Sequence, residues 1–103
     1  MGTLAEIVKR EIQWYAAGGF DSDAFVLTNE DQQIYAVNSV VEAPKVEYPT
    51  DVIMMARIVG DYVVILDDRT DKPFENRLMA AGIPRDRIIL AYAGEKLPDS
   101  QQN

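Results

Sequence analysis

Neither cysteine nor histidine occurs among the 103 residues of this chain. Without a thiol there is no disulfide, no thiolate ligand and no Cys nucleophile, and without an imidazole there is no His base and no imidazole metal ligand. Most common catalytic constellations are thereby excluded. Basic residues are also scarce. Ten Lys and Arg stand against seventeen Asp and Glu, a net charge of −7, so the long-range field repels nucleic acid and anionic membrane. Long apolar runs are missing too, none approaching the ~18 residues of a membrane span. Met1-Gly2-Thr3-Leu4 leads straight into an amphipathic pattern with no signal-peptide core, the pattern of a cytoplasmic protein.

What is present suits one globular domain: 48% hydrophobic and 26% charged residues, in a chain long enough for a single core. The expected domain covers residues 1–93, with 94–103 as a flexible tail. Thr3-Leu4-Ala5-Glu6 matches a capping box, and Leu4, Ile7, Val8, Ile12 and Tyr15 recur at helical spacing as far as the stop at Gly18-Gly19, which predicts a first helix. Trp14 falls beside that stripe, either as a boundary core residue or as an anchor for a partner. Residues 24–28 and 33–41 are rich in β-branched and aromatic side chains and flank the polar turn Asn29-Glu30-Asp31-Gln32, a hairpin pattern. Residues 42–51, with Pro44 and Pro49 and no periodicity, read as a long connection. Segments 52–59 and 62–66 flank Gly60-Asp61, the signature of a type II′ turn. A second helix is expected over 68–81, capped by Thr70 or Asp71 with Pro73 in its first turn, and ended by Gly82 and Pro84 before a short strand at 88–92. The order helix, four strands, helix, strand predicts an α+β fold, an antiparallel sheet of about five strands with both helices on one face.

The central strands are apolar on both faces: Val52, Met54, Ala56 and Ile58 alternate with Ile53, Met55, Arg57 and Val59. Two short helices cover only one side of five strands, so the second face calls for a cover, most economically a homodimer or a protein partner, with the tail or the proline-bounded loop as the intramolecular alternative. Met54-Met55 suits an adaptable contact surface there. Arg57 sits among apolar neighbours on that face, either as an interface anchor or with its guanidinium reaching water. Charge is uneven as well. Residues 20–51 hold seven acids, Glu42 and Glu47 among them, against Lys45 alone, which points to a basic protein surface as partner.

Asp67-Asp68-Arg69-Thr70-Asp71 is the densest polar cluster and invites comparison with metal hydrolases. A phosphatase-type site places a second carboxylate two residues after the first, where this chain has Arg69, and a nuclease-type triplet fits only with loose spacing. Capping of the following helix accounts for the acids more simply, at ~0.3–1 kcal/mol each. No Walker loop, dinucleotide fingerprint or nucleophile elbow occurs, and no serine has a base to activate it. The residues therefore predict no catalytic, metal or cofactor site.

Asp68-Arg69-Thr70-Asp71, then Leu78, then the run from Gly82-Ile83-Pro84-Arg85 to Tyr92 resemble the XisI family, the cyanobacterial element excision controlling factors. That family reads Asp-Gly-Thr-Glu, a helix, then Gly-Val-Pro-Lys-x-Asp-Ile-Val-Leu-x-Phe at the same spacing, with weaker likeness upstream at Tyr15, Asn29 to Asp31, Tyr35 and Gly60. The chain departs at Val37-Asn38, Asp67 and Arg87, as a divergent member would. The resemblance implies a non-enzymatic accessory factor in programmed DNA excision during heterocyst development, with a XisH-like nuclease-fold protein as partner. Its motif residues are Asp68, Thr70, Asp71, Gly82, Pro84 and Arg85. An unrelated small interaction module, or a metal-dependent hydrolase using Asp67 and Asp68, is the alternative.

Overall fold

The computed structural model describes residues 3–17, 22–41 and 50–98. Helix α1 (Leu4–Ile12) begins as its capping residue dictates, with Thr3 Oγ1 accepting the Glu6 N–H at 3.2 Å. A 3₁₀ segment (Gln13–Ala17) continues it and carries Trp14 and Tyr15; the expected Gly18-Gly19 stop lies outside the described residues. Strands β1 (Ser22–Asn29) and β2 (Ile34–Val41) form the first hairpin. Its loop closes through Gln33, held at φ +53, while the Asn29 side chain accepts the Gln32 N–H. Strands β3 (Thr50–Val59) and β4 (Tyr62–Asp68) form the second hairpin around Gly60, whose φ of +58 with no positive φ at Asp61 is the II′ arrangement.

The sheet order is β1-β2-β3-β4-β5, with β5 (Ile88–Leu90) at the edge. The first three pairings are antiparallel and β4 pairs with β5 in parallel, so the sheet is mostly rather than wholly antiparallel. The cause is the connection: residues 69–87 contain helix α2 (Phe74–Ala80), which carries the chain back to the end where β4 began. β5 is shorter than expected because residues Ala91–Ala93 turn into a 3₁₀ segment closed by Gly94 at φ +94. Beyond it Glu95 accepts the Leu90 N–H at 2.9 Å and binds Arg85 at 2.7 Å, so the segment just after Gly94 is tied to the sheet edge.

Helix α2 starts later than the acid cluster suggested. The residue before a proline avoids the helical region, so Lys72 cannot begin the helix, and Pro73 takes the N-cap position with ψ 131°. Both helices pack on one sheet face. Ile7, Val8, Ile12, Phe74 and Leu78 meet Tyr35, Val37, Met54, Ala56, Ile58, Val63 and Ile65 in one buried core. Two bulges adjust the pattern: Ile53 is skipped in the β2–β3 register and Leu66 in the β3–β4 register. Ile53 consequently packs towards the core rather than beside Met55, as strict alternation had placed it.

Candidate functional site

The motif residues lie at the two ends of α2, and the contacts of Asp68, Thr70 and Arg85 and the backbone of Gly82 explain those four identities. At its start the Asp68 carboxylate spans the loop: Oδ2 accepts the Phe74 N–H at 2.7 Å, and Oδ1 accepts the Thr70 N–H at 3.0 Å and its hydroxyl at 2.6 Å. The cap is thus Asp68, six residues ahead of the helix, in place of Thr70 or Asp71; Pro73 has no side-chain acceptor to offer, so the loop folds back to supply one. Asp71 is exposed. Asp67 faces the other way and binds Arg69 Nε at 3.1 Å, while Arg69 Nη1 reaches Asp51 at 2.6 Å.

At the far end Gly82 adopts φ +105, and the Ile83 N–H returns to the Leu78 carbonyl at 3.0 Å, a helix stop that demands a residue tolerant of positive φ. Pro84 then opens a turn whose carbonyl accepts the Arg87 N–H. Arg85 clamps that turn, donating to the Ile88 carbonyl at 2.7 Å and pairing with Glu95 and Glu75. The Arg85 hydrogen bond, then the Leu90 N–H, hold the Glu95 carboxyl below its usual range. The motif therefore builds the crossover from β4 to β5. Among the described residues no group of three or more acids stands close enough to hold a metal ion.

Two other surfaces remain, and they lie apart. The sheet face away from the helices has no cover among the described residues. Its rows run Leu27, Ala36, Met55, Asp67 and Ile34, Arg57, Val64, Ile89, with Phe25 beside Asn38. Phe25 is 53% and Leu27 51% exposed, whereas Ala36 and Val64 inside the rows are buried, as is Ile89 on the edge strand. Arg57 is exposed, with no ion pair among the described residues, so as the chain stands its guanidinium reaches water instead of being buried against a carboxylate. Arg87 lies 5.3 Å from the centre of the Tyr62 ring at the same edge. Sequence reasoning picked Met54, Met55 and Arg57 here; Met54 instead turns to the other face and is buried in the core, and Phe25 and Leu27, whose alternation with Ala24 and Val26 was the available signal, were missed.

Trp14 belongs to the helix side of the molecule and is not brought to Met55 or Arg57. It is 49% exposed, packs edge-on against Tyr15 at 5.0 Å, and carries the Arg77 guanidinium 4.4 Å from its ring centre. Tyr15 packs in turn on buried Phe74 and donates its hydroxyl to the Lys72 carbonyl. Burial, reinforced by the negative charge of Asp68, pushes the Tyr15 phenol up to about 12. Glu42 and Glu47 lie outside the described residues.

A five-stranded sheet with two helices on one face and an apolar second face defines a small α+β protein whose sequence motif serves its architecture. The chain belongs to the XisI family: that family's profile, described as XisI protein, matches residues 3–101. Among solved structures it is similar to a XisI-like protein from Anabaena variabilis, with 19% identity, TM-score 0.73, and coverage of 94% of this chain and 88% of that one. It is also similar to the fdxN element excision controlling factor XisI of the same organism, again at 19% identity, with TM-score 0.58 and coverage of 94% and 89%. No curated protein matches. Among the described residues no helix is long and apolar enough to cross a membrane.

Proposed function

We propose that this chain is a non-enzymatic, protein-binding accessory factor in the control of programmed DNA element excision. It self-associates through its open sheet face and engages a XisH-like nuclease-fold partner through the acid-rich region 20–51. The observation that carries the reading is the apolar sheet face with Phe25 and Leu27 half in water, since isolated domains rarely leave such side chains clustered without a partner. Family membership supports it, as does the name of the similar Anabaena protein, an excision controlling factor. The acidic balance of the chain favours a basic protein over DNA as the contact.

Light scattering at micromolar concentration tests the first part. A dimer is expected, with Leu27→Asp and Met55→Asp giving a folded monomer; a monomeric wild-type chain refutes it. Binding kinetics against the purified partner across a salt series test the second. Glu42→Lys with Glu47→Lys slows association and flattens its salt dependence. Salt-insensitive association, or tighter binding to duplex DNA than to the protein, overturns the assignment.

A further inference from the structure

A cleft of about 270 Å³ opens between the two helices, lined by Trp14, Lys72, Pro73, Asn76 and Arg77. It lies in the helix layer, away from the open sheet face, and stands independently of the reading above. Its walls are fixed. The Tyr15 hydroxyl holds the Lys72 carbonyl, and Tyr15 packs on the buried Phe74 ring at 5.7 Å, so the segment carrying Trp14 and the start of α2 keep their separation. Arg77 is anchored to Glu11 at 3.0 Å, where the Glu11 side chain is only 15% exposed.

The polar groups around this cleft are under-used. Glu11 is the single acceptor of the Arg77 guanidinium among the described residues, and Arg77 Nε is buried with no acceptor. Lys72 and Asn76 are exposed, and neither side chain has a hydrogen bond or ion pair among the described residues. The result is an apolar floor of Trp14 and Pro73 rimmed by an ammonium, a guanidinium and an amide, in a protein whose net charge is −7.

We propose that this cleft binds a short peptide segment of a partner protein that presents a carboxylate next to an apolar side chain. The apolar side chain lies against Trp14 and Pro73, and the carboxylate faces Lys72 with the Arg77 and Asn76 donors beside it. One unpaired cation matches one carboxylate. A nucleic acid strand requires a track of cations along its phosphates, and the lining offers only Lys72 and Arg77, the latter already paired with Glu11.

Trp14 is the only tryptophan, so its emission reports on the cleft directly. The full chain is titrated with a blocked tetrapeptide of alternating leucine and aspartate, with its leucine–asparagine analogue and with oligothymidine. Amide chemical shifts of Lys72 and Asn76 serve as a second readout. Saturable binding of the aspartate peptide is expected, weaker by about tenfold for the asparagine analogue, as for loss of a charge-assisted contact. Lys72→Glu weakens it by a similar factor at unchanged thermal stability, and Leu27→Asp on the sheet face leaves it unchanged. No saturation in either readout at millimolar peptide, equal affinity for the two peptides, indifference to Lys72→Glu, or preference for oligothymidine overturns the proposal.

Discussion

Replacing Asp68 tests whether the family motif is architecture or chemistry. Its carboxylate accepts three hydrogen bonds, from the Phe74 N–H, the Thr70 N–H and the Thr70 hydroxyl. Phe74 is fully buried, so its N–H has little access to replacement water, whereas the Thr70 groups are nearer the surface. A hydrogen bond to a charged acceptor contributes ~1.5–3 kcal/mol and an N-cap ~1 kcal/mol. Allowing for hydration of Thr70, Asp68→Ala costs about 2–3 kcal/mol. At ~4–8 °C per kcal/mol for a chain of this size, the midpoint falls by roughly 10–20 °C. Asp68→Asn keeps one acceptor oxygen but turns an NH₂ group towards a donor, and costs about half as much. Urea unfolding followed by far-UV circular dichroism measures both, with the m-value unchanged if only the native state is affected. A fully stable Asp68→Asn variant refutes the capping argument. So does stabilisation of the wild type by Mg²⁺ or Mn²⁺ that Asp68→Asn abolishes, because the carboxylate would then be a metal ligand.

Gly82→Ala meets open space around the new methyl group, yet φ is +105 there, so it loses about 1 kcal/mol through backbone strain alone, measured by the same unfolding curves. Arg85 and Glu95 make an acid-sensitive clamp. Because the folded Glu95 value lies below its ordinary 4.5, the clamp's contribution is complete above that pH and is lost as pH falls through the lowered value. The stability gap between wild type and Glu95→Gln therefore narrows in acid, and a gap independent of pH between 2 and 6 on thermal melts contradicts the assignment.

Turn chemistry and periodicity were legible in the sequence because they are settled within a few residues. Thr3 caps the helix it precedes, Gly60 supplies the positive φ of the tight turn, and Gly82 stops α2. The alternation in β3 and β4 announced a second apolar face, and the sheet has one. The α+β class follows from these local signals. Four features came only with the tertiary structure. The parallel pairing of β5 depends on where a crossover returns the chain, which no strand encodes by itself. The skipped residues Ile53 and Leu66 shift the register between neighbouring strands, which the alternation within one strand does not reveal. Asp68 caps a helix it does not adjoin, since Pro73 displaced the helix start and left the Phe74 N–H to a carboxylate arriving through the loop. The Trp14 cleft joins residues some sixty positions apart. In every such case the partner is chosen by packing across the core, and a sequence read in windows of a few residues contains the donor and the acceptor without saying that they meet.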